Sequence, residues 1–338
     1  MAKIVLGIAT SHGPLLSTPP EQWGERAKAD RANPALWFRG QPYKYDALEQ
    51  LRRGEGLERK SALPARQDHH ARCQKALAAL SESFAKANPD VVVIVGNDQT
   101  EAFSDKNMPA FSIFWGESLT NRPPSEEQIK KMPPGSSLAT FAHRPEQETQ
   151  YPGAPRLAQH IITKLMEQEF DIATSKSLPS DGNEWSRGSL PHAFGFVLRQ
   201  IMKDKPIPHL PVLINTFYPP NQPTAQRVHR FGKALKTAIE SFGEDVRVAV
   251  VASGGLSHFV VDEELDQKFL GFLKSGDVKG MTSMPESYLQ SGTSEFKNWI
   301  PVGAIAHDAG LKMELVDYVP CYRSSAGTGN AMGFVRWT

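Results

Sequence analysis

The sequence predicts an α/β protein with a central mixed β-sheet and helices on both faces, and three observations lead there. Apolar runs of strand length recur at residues 4–9, 91–95 and 246–252. Between them lie stretches whose apolar residues repeat at helical spacing, and such alternation marks crossover helices packed on a sheet. At 338 residues the chain is long enough to bury a sizeable core.

Taken in order, the first run follows Met1-Ala2-Lys3. It is too short for the apolar core of a signal peptide and meets Ser11-His12 where small residues would mark cleavage, so a first strand is expected. Residues 17–64 are rich in Pro, Gly, Arg, Lys and Glu and are expected to form a long loop insertion. After Gln67 the stripe Cys73, Leu77, Leu80 and Phe84 predicts a helix leading into the strand at 91–95. A strand is expected at 110–115, a second loop insertion at 117–155, and helices at 154–169 and 191–202. A strand at 209–217 then precedes a helix after Pro223 with Val228, Phe231, Leu235, Ile239 and Phe242 on one face. The strand at 246–252, a helix at 263–273 and a strand at 311–319 complete the series. No internal repeat or low-complexity tract interrupts it, so one catalytic domain over 1–338 is the expected organisation, with insertions at about 17–64 and 117–155. Insertions of that length serve as lids or binding walls, or simply as solvated decoration; the sequence leaves both open.

Lys and Arg number 38 against 37 Asp and Glu, which leaves no net field to draw nucleic acid or an anionic membrane surface. No apolar run approaches the roughly 20 residues of a membrane-crossing helix. Cys73 and Cys321 are too few for a disulfide framework and lack ligand spacing, so a reduced, cytoplasmic chain is expected.

Three strands end in polar segments: Thr10-Ser11-His12-Gly13-Pro14, Gly96-Asn97-Asp98-Gln99, and Ser253-Gly254-Gly255-Leu256-Ser257-His258. The carboxyl ends of strands in an open α/β sheet border the ligand crevice, so these segments are expected to converge on one pocket. One histidine after a strand is commonly a cap or a satisfied loop residue; two Ser-His pairs at strand ends favour a site. Gly254-Gly255 serves either a close approach or a tight turn. The dinucleotide fingerprint is absent there, no phosphate-cradling loop occurs, and no Gly-x-Ser-x-Gly elbow supports a serine hydrolase. Glu295, within Ser291 to Ile300, reads in isolation as an acidic partner of a helix dipole. In company it suits a mononuclear Fe(II) site, which needs two neutral ligands and one carboxylate on one face. His12 and Glu295 supply two of the three, with His258 as a non-ligating acid/base. His69 and His70 are expected to face solvent, and His192, in a first helical turn, fits a pocket role and a surface role equally.

Together these segments resemble the class III, LigB-type extradiol ring-cleavage dioxygenases, the superfamily of the protocatechuate 4,5-dioxygenase catalytic chain. The resemblance is nearest to the single-chain branch that includes 3-O-methylgallate dioxygenase. It is carried by Gly7 to Leu16, Asn33 to Phe38, Gly96 to Gln99, Asn107 to Ala110, Ser253 to Asp266, Ser291 to Ile300 and Tyr322 to Trp337. It implies an α/β sandwich, Fe(II) as cofactor, and cleavage of a catechol or gallate derivative by O2, with methoxylated lignin-type acids among the candidates. By similarity His12 and Glu295 match iron ligands and His258 matches the acid/base. Gln99 departs from the pattern, standing where the protocatechuate enzyme has its second histidine ligand. An amide oxygen is a harder, weaker donor for Fe(II) than imidazole, so either Gln99 ligates or another histidine does, His192 ahead of His69, His70 and His143. His192 serves equally well as a hydrogen-bond partner of substrate. Asn97, Asp98, Ser257, Tyr218 and Arg323 are the candidate substrate-binding residues. Mn(II) suits the same donors. The expected partners are a small aromatic substrate and O2, in a homodimer without a separate small subunit. Two rivals stand beside this reading: an oxygen-independent lyase or hydrolase on the same scaffold, and an aromatic-binding protein that has lost iron.

Overall fold

The structure, a computed structural model, describes residues 1–132, 136–179, 182–184, 186 and 188–338. Its core is a mixed sheet of nine strands among the described residues. Three of them, Lys3–Thr10, Arg247–Ser253 and Val91–Gly96, lie side by side and parallel in that order. The Val91–Gly96 strand, VVVIVG, is buried along its whole length because it has a neighbour on each edge and helices on each face. Beyond it the sheet continues through His209–Ile214, Phe111–Phe114 and Ala173–Ser175. On the other side Lys3–Thr10 pairs antiparallel with Thr328–Trp337, which also pairs with Met313–Tyr322 and with the short strand His258–Val260.

The two-residue period of the strands sorts their side chains into two cores. Val92 and Ile94 pack with Leu77, Leu80 and Phe84 of the long helix Leu63–Ala87. Val91, Val93 and Val95 face the opposite way, toward Leu157 and Ile161 of Pro155–Glu167, Phe231 and Leu235 of Ala225–Glu240, and Trp299 and Ile305 of Phe296–Asp308. The α/β sheet flanked on both faces is therefore as the alternating periods predict.

Differences lie at the margins. The segment expected as one helix over 191–202 is an α-helix only at His192–Phe196 and continues as a π-helical turn at Val197–Ile201. Residues 17–64 carry the helices Trp23–Ala32 and Tyr45–Leu51 and a small ribbon pairing Leu36–Phe38 with Gln41–Tyr43. Residues 117–155 carry a capped helix, Glu126–Lys131, and a ribbon pairing Ser118–Asn121 with Thr149–Pro152; residues 133–135 of this insertion lie outside the described residues. Both insertions are thus more ordered than loops. No described helix is long and apolar enough to cross a membrane.

Candidate active site

The three parallel neighbours end at the same edge of the sheet, and this places His12, the Asn97–Gln99 segment and the Ser253–Ser257 segment around one point. Glu295 reaches that point from the N-terminal end of the Phe296–Asp308 helix, and His192 from the first turn of its own short helix. His12, Gln99, His192, His258 and Glu295 all line one cavity of about 300 Å³.

Hydrogen bonds fix how each imidazole presents itself. Ser253 Oγ donates its only proton to the Ala193 carbonyl at 2.6 Å, so toward His12 Nδ1, 2.9 Å away, it accepts. That places the His12 proton on Nδ1 and leaves the Nε2 lone pair facing the cavity. His258 Nδ1 lies 2.7 Å from the Leu256 carbonyl, which can only accept, so its Nε2 also points inward. His192 Nδ1 is held by Glu101 Oε2 at 2.6 Å, and the backbone N–H of His192 donates to the same carboxylate at 3.0 Å.

Glu295 sits between two of these Nε2 edges, 3.4 Å from His12 Nε2 and 3.7 Å from His258 Nε2. Its carboxylate accepts the Gly255 N–H at 2.5 Å and the Asn97 amide at 3.2 Å. Asn97 is itself held by Asn298 at 3.0 Å, and Trp299 ties down the Gly254 carbonyl at 2.8 Å. Gly255 is required for close approach: a Cβ there would stand 2.5 Å from the His258 ring.

The electrostatics follow from burial and from this ring of partners. Burial pushes the Glu295 carboxyl up, but His258 and His12 outweigh it and hold it well below the usual carboxylate range. Burial lowers His12. Burial also pulls on His192 and His258, yet Glu101 and Glu295 respectively raise them above the ordinary imidazole value. Glu101 is resisted by burial and drawn down to about 2, mainly by His192. His12 Nε2 and His192 Nε2 face each other across 3.2 Å, a gap that must hold a proton or a cation between two lone pairs.

The donor types fit a divalent metal: an anionic carboxylate, a neutral imidazole with a fixed tautomer, and outer partners that orient both. Among the described residues no three His, Cys, Asp or Glu side chains are spaced to hold an ion as they stand. The gaps of 3.2 and 3.4 Å from His12 Nε2 nevertheless approach the roughly 3 Å separation of two donors bonded at right angles to one ion. Gln99 turns its amide nitrogen to Glu295 Oε1 at 3.5 Å and accepts the Tyr218 hydroxyl on its oxygen at 3.3 Å. A flip of that amide would bring its oxygen to face the carboxylate site.

The remaining predicted substrate contacts lie behind the wall. Asp98 accepts the backbone N–H groups of Glu101, Ala102 and Phe103 at 2.9 to 3.1 Å, and burial raises it to about 6. Ser257 is bonded to Asp266 through both its N–H and its hydroxyl. Tyr218 reaches the cavity only through Gln99. Arg323 is bound by Asp30 through two contacts of 2.6 Å, and none of these four residues lines the cavity. The structure adds residues that sequence reasoning did not single out: Glu101, Ser253 and Asn298 as supports, and Arg26 and Arg144 in the cavity wall. Glu101 lies two positions beyond Gln99, a signal that was available; the arginines, inside the insertions, carried none.

The family of the catalytic LigB subunit of aromatic ring-opening dioxygenase matches residues 61–331. The chain belongs to that family. The matched span of this LigB-family chain holds Gln99, His192, His258 and Glu295, while His12 precedes it. The chain is similar to gallate dioxygenase of Pseudomonas putida, 34% identical over 139 residues covering 39% of this chain and 38% of the relative. It is also similar to 2,3-dihydroxyphenylpropionate/2,3-dihydroxicinnamic acid 1,2-dioxygenase of Comamonas testosteroni, 26% identical over 199 residues covering 58% and 51%. These alignments span about half of each relative's length or less.

Proposed function

We propose that this LigB-family protein is a non-haem Fe(II)-dependent extradiol dioxygenase that opens the ring of a catechol or gallate derivative and places both atoms of O2 in the product. The observation that supports this reading best is the convergence of two imidazoles, His12 and His258, with Nδ1 committed and Nε2 facing one buried and well-anchored carboxylate, and of a third, His192, whose Nε2 meets that of His12.

In this reading Glu295 and His12 hold the ion, and Gln99 or His192 supplies the third donor. Bound iron supplies the Lewis acidity that favours an ionised catechol and the electron-transfer chemistry that O2 requires. The chain's own residues do the rest. His258 Nε2, 3.7 Å from Glu295 and on the cavity wall, is placed to take a proton from a substrate hydroxyl and return one to the opening ring. His192, braced by Glu101, either completes the metal set or faces the second hydroxyl. Ser253, Asn97 and Asn298 position ligands and touch no reacting atom.

The test is O2 uptake by protein loaded anaerobically with Fe(II), and in parallel with Mn(II), on gallate, 3-O-methylgallate and protocatechuate. Uptake of one O2 per substrate, with a ring-opened chromophore, is expected for at least one of them. Turnover of an aromatic substrate that proceeds equally without O2 would replace this reading with the lyase or hydrolase alternative.

A further inference from the structure

We propose that Arg144, together with Arg26, is the anchor for a carboxylate on the aromatic substrate, so that the cavity selects ring acids over neutral catechols. The inference rests on the ring-cleavage reading for what happens at the other end of the substrate, but its own evidence is separate.

Arg144 is only 5% exposed, and among the described residues its Nε has no hydrogen-bond partner. It makes no ion pair within 4 Å among the described residues, although it lines the same cavity as Glu295 and His258. A guanidinium taken out of water without a carboxylate is costly, and such groups are ordinarily paired. The carboxylates nearby are committed elsewhere. Glu101 is taken up by the ring and backbone of His192, and Glu295 by His12, His258, Asn97 and Gly255. Glu101 acts on Arg144 only from beyond 4 Å, so among the described residues the cavity carries a buried cation with no carboxylate in contact.

Arg26 stands in the same wall, with Nη1 3.5 Å from Ser136 Oγ. Burial and the neighbouring Arg323 lower it to about 10, so this part of the wall is electropositive despite Asp30. The two arginines come from different insertions, Arg26 from 17–64 and Arg144 from 117–155, and Thr140 and His143 accompany Arg144 in the wall. Both insertions therefore serve as binding wall. A planar guanidinium fork matches a carboxylate in two parallel hydrogen bonds, and a cavity of about 300 Å³ is at the small end of ligand pockets, suited to a single substituted ring.

The experiment measures binding by calorimetry, anaerobically, on the iron-loaded protein and on Arg144→Gln and Arg144→Lys. Two probe pairs differ only in the charged group: 3,4-dihydroxybenzoate against catechol, and benzoate against benzamide, which cannot chelate. The wild-type protein is expected to prefer the acid in each pair by roughly 10- to 100-fold, the value of a charge-assisted pair. In Arg144→Gln the ratio should collapse toward one, while Arg144→Lys should keep part of it. Thermal melts of both variants report folding, and if the Gln variant fails to fold the Lys variant carries the test through its reduced ratio. No preference in the wild type, or a preference unchanged by both substitutions, would overturn the inference. The benzoate pair separates the two proposals. Arg144-dependent benzoate binding without ring cleavage of any catechol leaves the anchor standing and removes the dioxygenase reading, whereas ring cleavage with an Arg144-independent preference does the reverse.

Discussion

Replacing Ser253 with alanine tests how the site holds its first histidine. The Ser253 hydroxyl donates to the Ala193 carbonyl at 2.6 Å and accepts from His12 Nδ1 at 2.9 Å. Ala193 is fully buried and His12 is 8% exposed, so the substitution strands one acceptor and one donor away from water. A buried unsatisfied group costs about 1–3 kcal/mol, and two give a stability loss of about 2–6 kcal/mol. The loss of the bond that sets the His12 tautomer should also weaken metal binding about 10- to 100-fold, as for other partners that orient metal-binding histidines. Denaturant unfolding of the metal-free protein measures the first effect, and competition for Fe(II) against a chelator measures the second. Ser253→Thr keeps the hydroxyl and should recover most of both. A loss below about 0.5 kcal/mol together with unchanged iron affinity would refute the reasoning, since it would mean that neither bond constrains His12.

Four further outcomes are expected. Glu295→Gln removes the only anionic donor proposed for the site and should abolish retention of iron through gel filtration; metal analysis reads the result. His258→Ala should retain iron but lose turnover by about 10²- to 10⁴-fold, the scale of a lost acid/base. Asp30→Ala leaves Arg323, 3% exposed, without its twofold contact and removes the acceptor for the Thr328 hydroxyl, so a loss of about 3–5 kcal/mol is expected in denaturant unfolding. His209 is fully buried, and burial, only partly offset by the Pro152 backbone, lowers it to about 4. Its unfolded form binds a proton near pH 6.5, so the unfolded state holds more protons between about pH 6.5 and pH 4 and stability falls as pH drops through that window. Stability curves of wild type and His209→Leu should differ in slope there, and parallel curves would assign the acid sensitivity elsewhere.

Much of the fold was legible because the sheet is built from residues with an unambiguous period. The run at 91–95 and the stripe Cys73, Leu77, Leu80 and Phe84 each admit one placement, and the structure has them packed as a strand under a helix. The strand Thr328–Trp337 was not legible: TGNAMGFVRW is broken by two glycines, and its order comes from partners on both edges, not from its own pattern. Trp23–Ala32 has no apolar stripe, only Trp23 and Asp30 among its buried residues, so composition made it read as loop. The convergence of His12, Gln99 and His258 was legible from the polar strand ends, because adjacent parallel strands deliver their carboxyl ends to one edge; Glu295, arriving from the start of a helix, was expected only as the carboxylate of a metal donor set and from the family resemblance. The commitment of Arg323 to Asp30 was not, since the two are 293 positions apart. For the same reason Arg323 stood as a substrate candidate and Arg144 did not: the two are about equally buried, and what distinguishes them is that Asp30 holds Arg323 while no described carboxylate lies within 4 Å of Arg144.

The central claim is that O2 enters the ring at this site. The most direct measurement is mass analysis of the product formed under ¹⁸O2 by the Fe(II)-loaded protein from a substrate it turns over. Both labelled atoms in the ring-opened product, and no product from Glu295→Gln, are the predicted result. A product carrying no labelled atom, or only one when its carbonyl is reduced before it can exchange with water, or full activity in Glu295→Gln, would contradict the account.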